Sequence, residues 1–154
     1  MSSRALAVVV LIGAAVGCAP TPPPLRHVAD VKQLMKSVLD PSADLYWDAV
    51  GTVTDQTGTT EIAPETTEDW DAIVSSAYVI AESGNLLMLG TRPKDGGDWM
   101  RMSRSLVDAG EKAVRAAQAH DTKAVFDVGG QVYDVCTSCH AKYVVEAAEK
   151  TGGR

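Results

Sequence analysis

The stretch that decides the fold is DTKAVFDVGGQVYDVCTSCHAKYVVEAAEK, running from Asp121 to Lys150. Asp121 is placed to cap a helix, and Phe126, Val132, Tyr133, Cys136, Cys139, His140, Tyr143 and Ala147 follow at helical spacing. Gly129 and Gly130 interrupt it, and each costs a helix interior roughly 1 kcal/mol relative to Ala. A close backbone approach or a frayed first turn would explain them.

Three more helices are read N-terminal to this one. Val28, Val31, Leu34, Met35 and Val38 mark the first. Pro41 bends or restarts it, Asp40 is placed to cap the new turn, and the chain continues through Leu45, Tyr46 and Trp47 to Val50. Thr52-Val53-Thr54 and Thr59-Thr60-Glu61-Ile62 flank a turn with Gly58, which predicts a small hairpin. Thr66 and Asp69 resemble a capping box for a second helix reaching about Leu89, with Trp70, Ile73, Val74, Ala77, Tyr78 and Ala81 on one stripe. A link rich in turn residues, with Pro93, leads to a third helix opened by Asp98. That helix presents Trp99, Met102, Leu106, Ala109, Ala113 and Ala116. Four amphipathic helices with three links predict an all-α antiparallel four-helix bundle spanning 26–154.

Within the last helix, Cys136-Thr137-Ser138-Cys139-His140 carries the chemistry. Cys136 and His140 are four apart and share a helix face, with Cys139 beside them. Two thiols able to add across porphyrin vinyl groups, with an imidazole able to reach iron, predict one covalently bound haem c near the C-terminal helix. His140 is its proximal ligand. A zinc site would want a second Cys or His pair, and His27 and His120 stand alone. A thiol redox pair would want a βαβ setting, which a helical chain lacks.

The N-terminus reads as an export segment. Arg4 precedes an apolar run from Ala5 to Val16, too short to span a bilayer comfortably, so residues 1–17 are a signal peptide. Ala15-Val16-Gly17-Cys18 resembles the lipobox of bacterial lipoproteins, with Ala15 where Leu is usual. Lipidation of Cys18 is the expectation, and a soluble secreted protein is the alternative. The Pro-rich residues 18–25 then form a stiff tether, and the protein meets the membrane only through the lipid anchor, on the periplasmic side. The formal charge of −6, with no run of Lys or Arg, argues against nucleic acid, favours a basic docking face on a redox partner protein and disfavours non-specific binding to anionic lipid.

Helix order, the C-terminal Cys-Thr-Ser-Cys-His-Ala-Lys-Tyr and a Met in the first helix give residues 26–150 a resemblance to the class II cytochromes c, the cytochrome c′ group and its low-spin relatives. The resemblance implies an antiparallel homodimer through the first two helices. It also implies that the residue facing the iron from the first helix fixes function. An apolar side chain there leaves a five-coordinate iron open to nitric oxide or carbon monoxide, while a Met closes it as a low-spin electron carrier. Met35 matches the Met position, with ordinary core packing as its other reading, and Leu34 is the neighbour that could face the iron instead; Met88 lies near a helix end, and Met100 and Met102 adjoin a helix start. Two places depart from the gas-binding pattern: Val144 stands where a basic residue often follows the haem His, and Val31 where an Arg often precedes the distal residue.

No acid, base or nucleophile constellation accompanies the run, so the expectation is an electron carrier and not an enzyme. The alternatives are a five-coordinate gas-binding module and a haem subunit docked to a larger oxidoreductase. Tyr133 and Tyr143 are read as packing on the haem or as core, and Arg101 or Arg104 as pairing with its propionates or as solvated charge. Trp47, Trp70 and Trp99 are read as core or end-of-bundle packing.

Overall fold

The computed structural model describes residues 26–145. The expected signal peptide, the tether and Cys18 lie outside the described residues, as does the expected last turn toward Lys150. The described chain is all-α, with four helices and one small two-stranded sheet.

Helix α1 is continuous from Val31 to Asp48 and has three parts: an α-helical turn Val31–Leu34, a π turn Met35–Leu39, and an α-helical segment Asp40–Asp48. It starts later than its apolar pattern suggests. The Asp30 carboxylate accepts the Gln33 N–H at 2.7 Å and caps the helix there, leaving Val28 exposed. Pro41 does not break the helix. A proline inside an α-helix lacks a donor and crowds the carbonyl four residues back, and the wider π turn directly before it opens the ladder where the ring must fit. Asp40 is therefore not a cap. It is a helical residue whose N–H donates to the Met35 carbonyl.

The link after α1 carries its own structure. Strands β1 (Gly51–Asp55) and β2 (Gly58–Ile62) pair antiparallel with Gly51 opposite Ile62 and Asp55 opposite Gly58. Gly58, at φ +140°, takes a conformation that side chains resist. The Asp55 carboxylate accepts both the N–H and the hydroxyl of Thr57.

Helix α2 (Thr67–Leu87) opens on the capping box: Asp69 N–H donates to Thr66 Oγ1 at 3.1 Å, and Thr66 N–H donates to Asp69 Oδ2 at 2.9 Å. Helix α3 (Asp98–Gln118) has Gly97 at its N-cap, so Asp95 supplies the missing acceptor, taking the N–H groups of Gly97 and Trp99. Helix α4 (Thr122–His140) is capped by Asp121 through the Ala124 N–H, and a second π turn, Ala141–Val145, follows it directly.

The core runs through all four helices, with Leu34, Tyr46, Ile73, Ile80, Trp99, Leu106, Val125 and Val132 among its buried members. Helices α2 and α3 make the most extensive pair, and of the helices that neighbour each other around the core, α1 and α4 meet least. Besides Val28, the apolar-stripe residues Tyr78, Phe126 and Tyr133 face solvent instead. Among the described residues, no helix is long and apolar enough to cross a membrane.

Candidate functional site

Where α1 and α4 pack least, a cleft of about 330 Å³ opens, in the range of sites that hold small molecules and cofactors. Helix α4 contributes Cys136, Cys139 and His140. Helix α1 contributes Met35, Leu39, Ala43 and Trp47, and α2 and α3 add Leu87, Met102 and Leu106. Residues about a hundred positions apart in sequence thus line one space. Cys136, Cys139 and Met35 are half-buried and His140 is exposed. Leu34, the rival to Met35, is 2% exposed and belongs to the core, not to the cleft.

The two thiols are free, without a disulfide. Burial pushes the Cys136 thiol up to about 11, with the neighbouring Cys139 and Asp40 adding to the rise, and burial raises Cys139 as well. Low-pKa redox cysteines occupy electropositive settings such as helix N-termini. This pair stands in the C-terminal half of α4, far from its N-terminus. Among the described residues, no three His, Cys, Asp or Glu side chains group so as to hold one metal ion. Cys136, Cys139 and His140 therefore offer separate points of attachment along one helix face, not a closed cage.

The turn after His140 is anchored to the start of α3. Lys142 pairs with Asp98, and the Tyr143 hydroxyl donates to Asp95 while its ring meets Trp99 edge-on at 5.0 Å. Hydrogen bonds from Lys142 and then Arg101, together with their charges, hold the Asp98 carboxyl down to about 2. Burial and the bond to Asp95 lift the Tyr143 phenol to about 12. Tyr143 is therefore a strut outside the cleft, whereas Tyr133 stands on the cleft wall. Arg101 pairs with Asp98 at 2.8 Å, and neither it nor Arg104 lines the cleft. Gly129 makes a close approach to Trp47 and Tyr46.

Met102, set aside in sequence because it adjoins a helix start, Asp40, expected only as a cap, and Asp44, not singled out, all line the cleft, as does Trp47, expected in the core or at the end of the bundle. Met102 lies on the Trp99–Leu106 stripe legible in sequence, but that this stripe reaches the cleft depends on how α3 packs. Asp40 and Asp44 carry no local signal that separates them from solvated charges. No protein-family model, curated protein or solved structure matches this chain.

Proposed function

We propose that this protein is a c-type cytochrome that carries single electrons. Cys136 and Cys139 hold one haem c covalently, with His140 as the proximal iron ligand and Met35 as the distal one. The observation that carries the reading is the shared cleft: Met35 from α1 and the Cys136–His140 run from α4 line the same apolar space.

The residues fit the group. Two half-buried thiols three positions apart suit addition to two vinyl groups, and an imidazole four positions from the first thiol lies on the same face. Leu39, Ala43, Leu87 and Leu106 supply apolar walls for a planar macrocycle. When bound, haem supplies an Fe(III)/Fe(II) couple, which a thioether ligand and burial raise. The chain's own part is to fix the imidazole and exclude water. The ties from Lys142 to Asp98 and from Tyr143 to Asp95 immobilise the turn that follows His140.

We read the four helices as an antiparallel bundle, exported and tethered in the periplasm through a lipidated Cys18, with redox proteins as partners. Homodimerisation through α1 and α2 belongs to the same reading.

The visible spectrum of the purified holoprotein, with and without carbon monoxide, tests it. The expected result is a low-spin spectrum indifferent to carbon monoxide at neutral pH. Met35→Leu should turn it high-spin, while Met102→Leu, from the same cleft, should leave it low-spin. A high-spin spectrum in the unmodified protein, or ready carbon monoxide binding, overturns Met35 as ligand and favours a five-coordinate gas-binding protein. A loss of the low-spin state only in Met102→Leu transfers the role to Met102. A protein that takes up no haem overturns the whole reading.

A further inference from the structure

Charge is divided unevenly along this chain. Between Ser37 and Thr91 there are ten carboxylates and no Lys or Arg, and all ten are exposed. Five of the eleven Lys and Arg among the described residues, against Asp30 and Asp95, stand where the chain through the π turn of α1 meets the loop between α2 and α3; the other six lie on α3, α4 and the turn after it. Arg26, Lys32 and Lys36 stand on one of these segments, and Arg92 and Lys94 on the other.

Between the two segments lies a cavity of about 390 Å³, lined by His27, Asp30, Arg92 and Lys94 among others. Arg92 is 8% exposed. Its Nε and Nη2 donate to the Ala29 carbonyl at 3.2 and 3.1 Å, and its Nη1 to the Leu86 carbonyl at 3.0 Å. A buried charge is ordinarily paired, yet among the described residues no carboxylate pairs with Arg92. A guanidinium has five N–H donors, so two remain after these three bonds. Asp30 is the one acid on the lining, and its Oδ1 is committed to the Gln33 N–H. Gly90, at φ +62°, lets the His27 ring lie against the backbone, since a Cβ there would overlap it.

We infer that this basic end docks on an anionic phospholipid surface, with a headgroup phosphate entering the cavity beside Arg92, Lys94 and His27. The orientation rests on the membrane-tethered reading above; the cavity and the charge division do not. Seven residues, 19–25, separate Cys18 from Arg26, and an extended chain of that length reaches at most about 30 Å. A lipid on Cys18 would therefore keep this end of the domain, and not the acidic one, near the bilayer. Each Lys or Arg near an anionic surface contributes about 1 kcal/mol, falling off within a Debye length. The exposed carboxylates of α1, the hairpin and α2 are repelled, so the Asp40 and Asp44 side of the cleft turns toward the aqueous phase.

The test uses the chain from Ala19 onward, one residue short of the expected mature N-terminus, loaded with its cofactor and lacking any lipid. Its partition is measured onto phosphatidylcholine vesicles with and without phosphatidylglycerol. Binding should require phosphatidylglycerol and fall with added salt. Lys94→Ala, at an exposed side chain, should weaken it about five-fold, His27→Ala should weaken it as well, and Lys112→Ala, elsewhere on the surface, should not. Arg92→Gln removes a clamp on Ala29 and Leu86, so it is read only where its helical circular dichroism is retained, and there it should weaken binding further. Indifference to phosphatidylglycerol, or equal losses in Lys94→Ala and Lys112→Ala, overturns the inference. The mass of the N-terminal residue of the full chain, exported from its own leader, reports Cys18 lipidation separately. A chain without lipid that still binds these vesicles leaves the docking surface standing and removes only the tether.

Discussion

The Trp47 indole Nε1 donates to the Gly129 carbonyl at 2.9 Å, joining α1 to α4 beside the cleft. The missing side chain at position 129 eases the approach: a Cβ there would lie 3.2 Å from Trp47 Cδ1, close enough that the indole would have to give slightly. The same indole meets the Tyr133 ring edge-on at 6.0 Å. The glycine that weakens α4 as a helix thus fastens it to the helix across the cleft.

Trp47→Phe keeps an aromatic ring and removes the donor. A net hydrogen bond contributes about 1 kcal/mol and the smaller ring loses some packing, so urea unfolding should show a loss of about 1–2 kcal/mol. An unchanged midpoint would mean that the bond contributes nothing to stability.

Glycines in these helices divide by what surrounds them. A Cβ on Gly110 would fall 2.5 Å from Ala81 Cα, and one on Gly84 would fall 2.7 Å from the Ser103 carbonyl. The crossing of α2 and α3 depends on that closeness. Gly110→Ala should therefore destabilise the fold by about 1–3 kcal/mol despite its helix propensity. Gly130 has nothing within 4 Å, so Gly130→Ala should stabilise by roughly 0.5–1 kcal/mol. Thermal unfolding of the two variants should shift in opposite directions, and shifts of the same sign would contradict this account of the helix crossing.

The Lys142–Asp98 pair predicts a pH window. The folded-state Asp98 carboxyl titrates near 2, below its ordinary 3.8. A depressed carboxylate stabilises the folded state fully above its unfolded value and loses that contribution as pH falls through the folded one. Lys142→Met should thus be less stable than the unmodified protein above about pH 4, with the gap closing toward pH 2. Denaturant titrations at a series of pH values measure this, and a gap constant across the range would exclude the pair as its source.

Covalent attachment through Cys136 and Cys139 has its own readout. On denaturing electrophoresis the pigment should travel with the unmodified chain and with each single Cys→Ser variant. In the Cys136→Ser, Cys139→Ser double variant it should run free. Pigment that stays with the double variant would place the attachment elsewhere.

Much of this fold was legible in order of sequence because its signals are local. Thr66 and Asp69 close a capping box three residues apart, Asp121 caps α4 within one turn, and Gly58 marks the hairpin bend. The Cys136–His140 spacing is likewise a property of one helix. Each needs only near neighbours in the chain, so sequence by itself determined the helices, their order and the run on which the proposed chemistry rests.

Tertiary structure decided what meets that run. Leu34 and Met35 are adjacent and both apolar; the first enters the core while the second lines the cleft, at the start of a π turn no pattern announced. Met102 reaches the same cleft from α3, and Asp95 caps α3 while holding Tyr143. Phe126 and Tyr133, apolar by pattern, are left outside by the sparse packing of α1 on α4. Periodicity fixes which residues share a face, but helix register and crossing depend on side chains far apart in the chain. A glycine against a tryptophan, or one extra residue in a turn, is enough to change them.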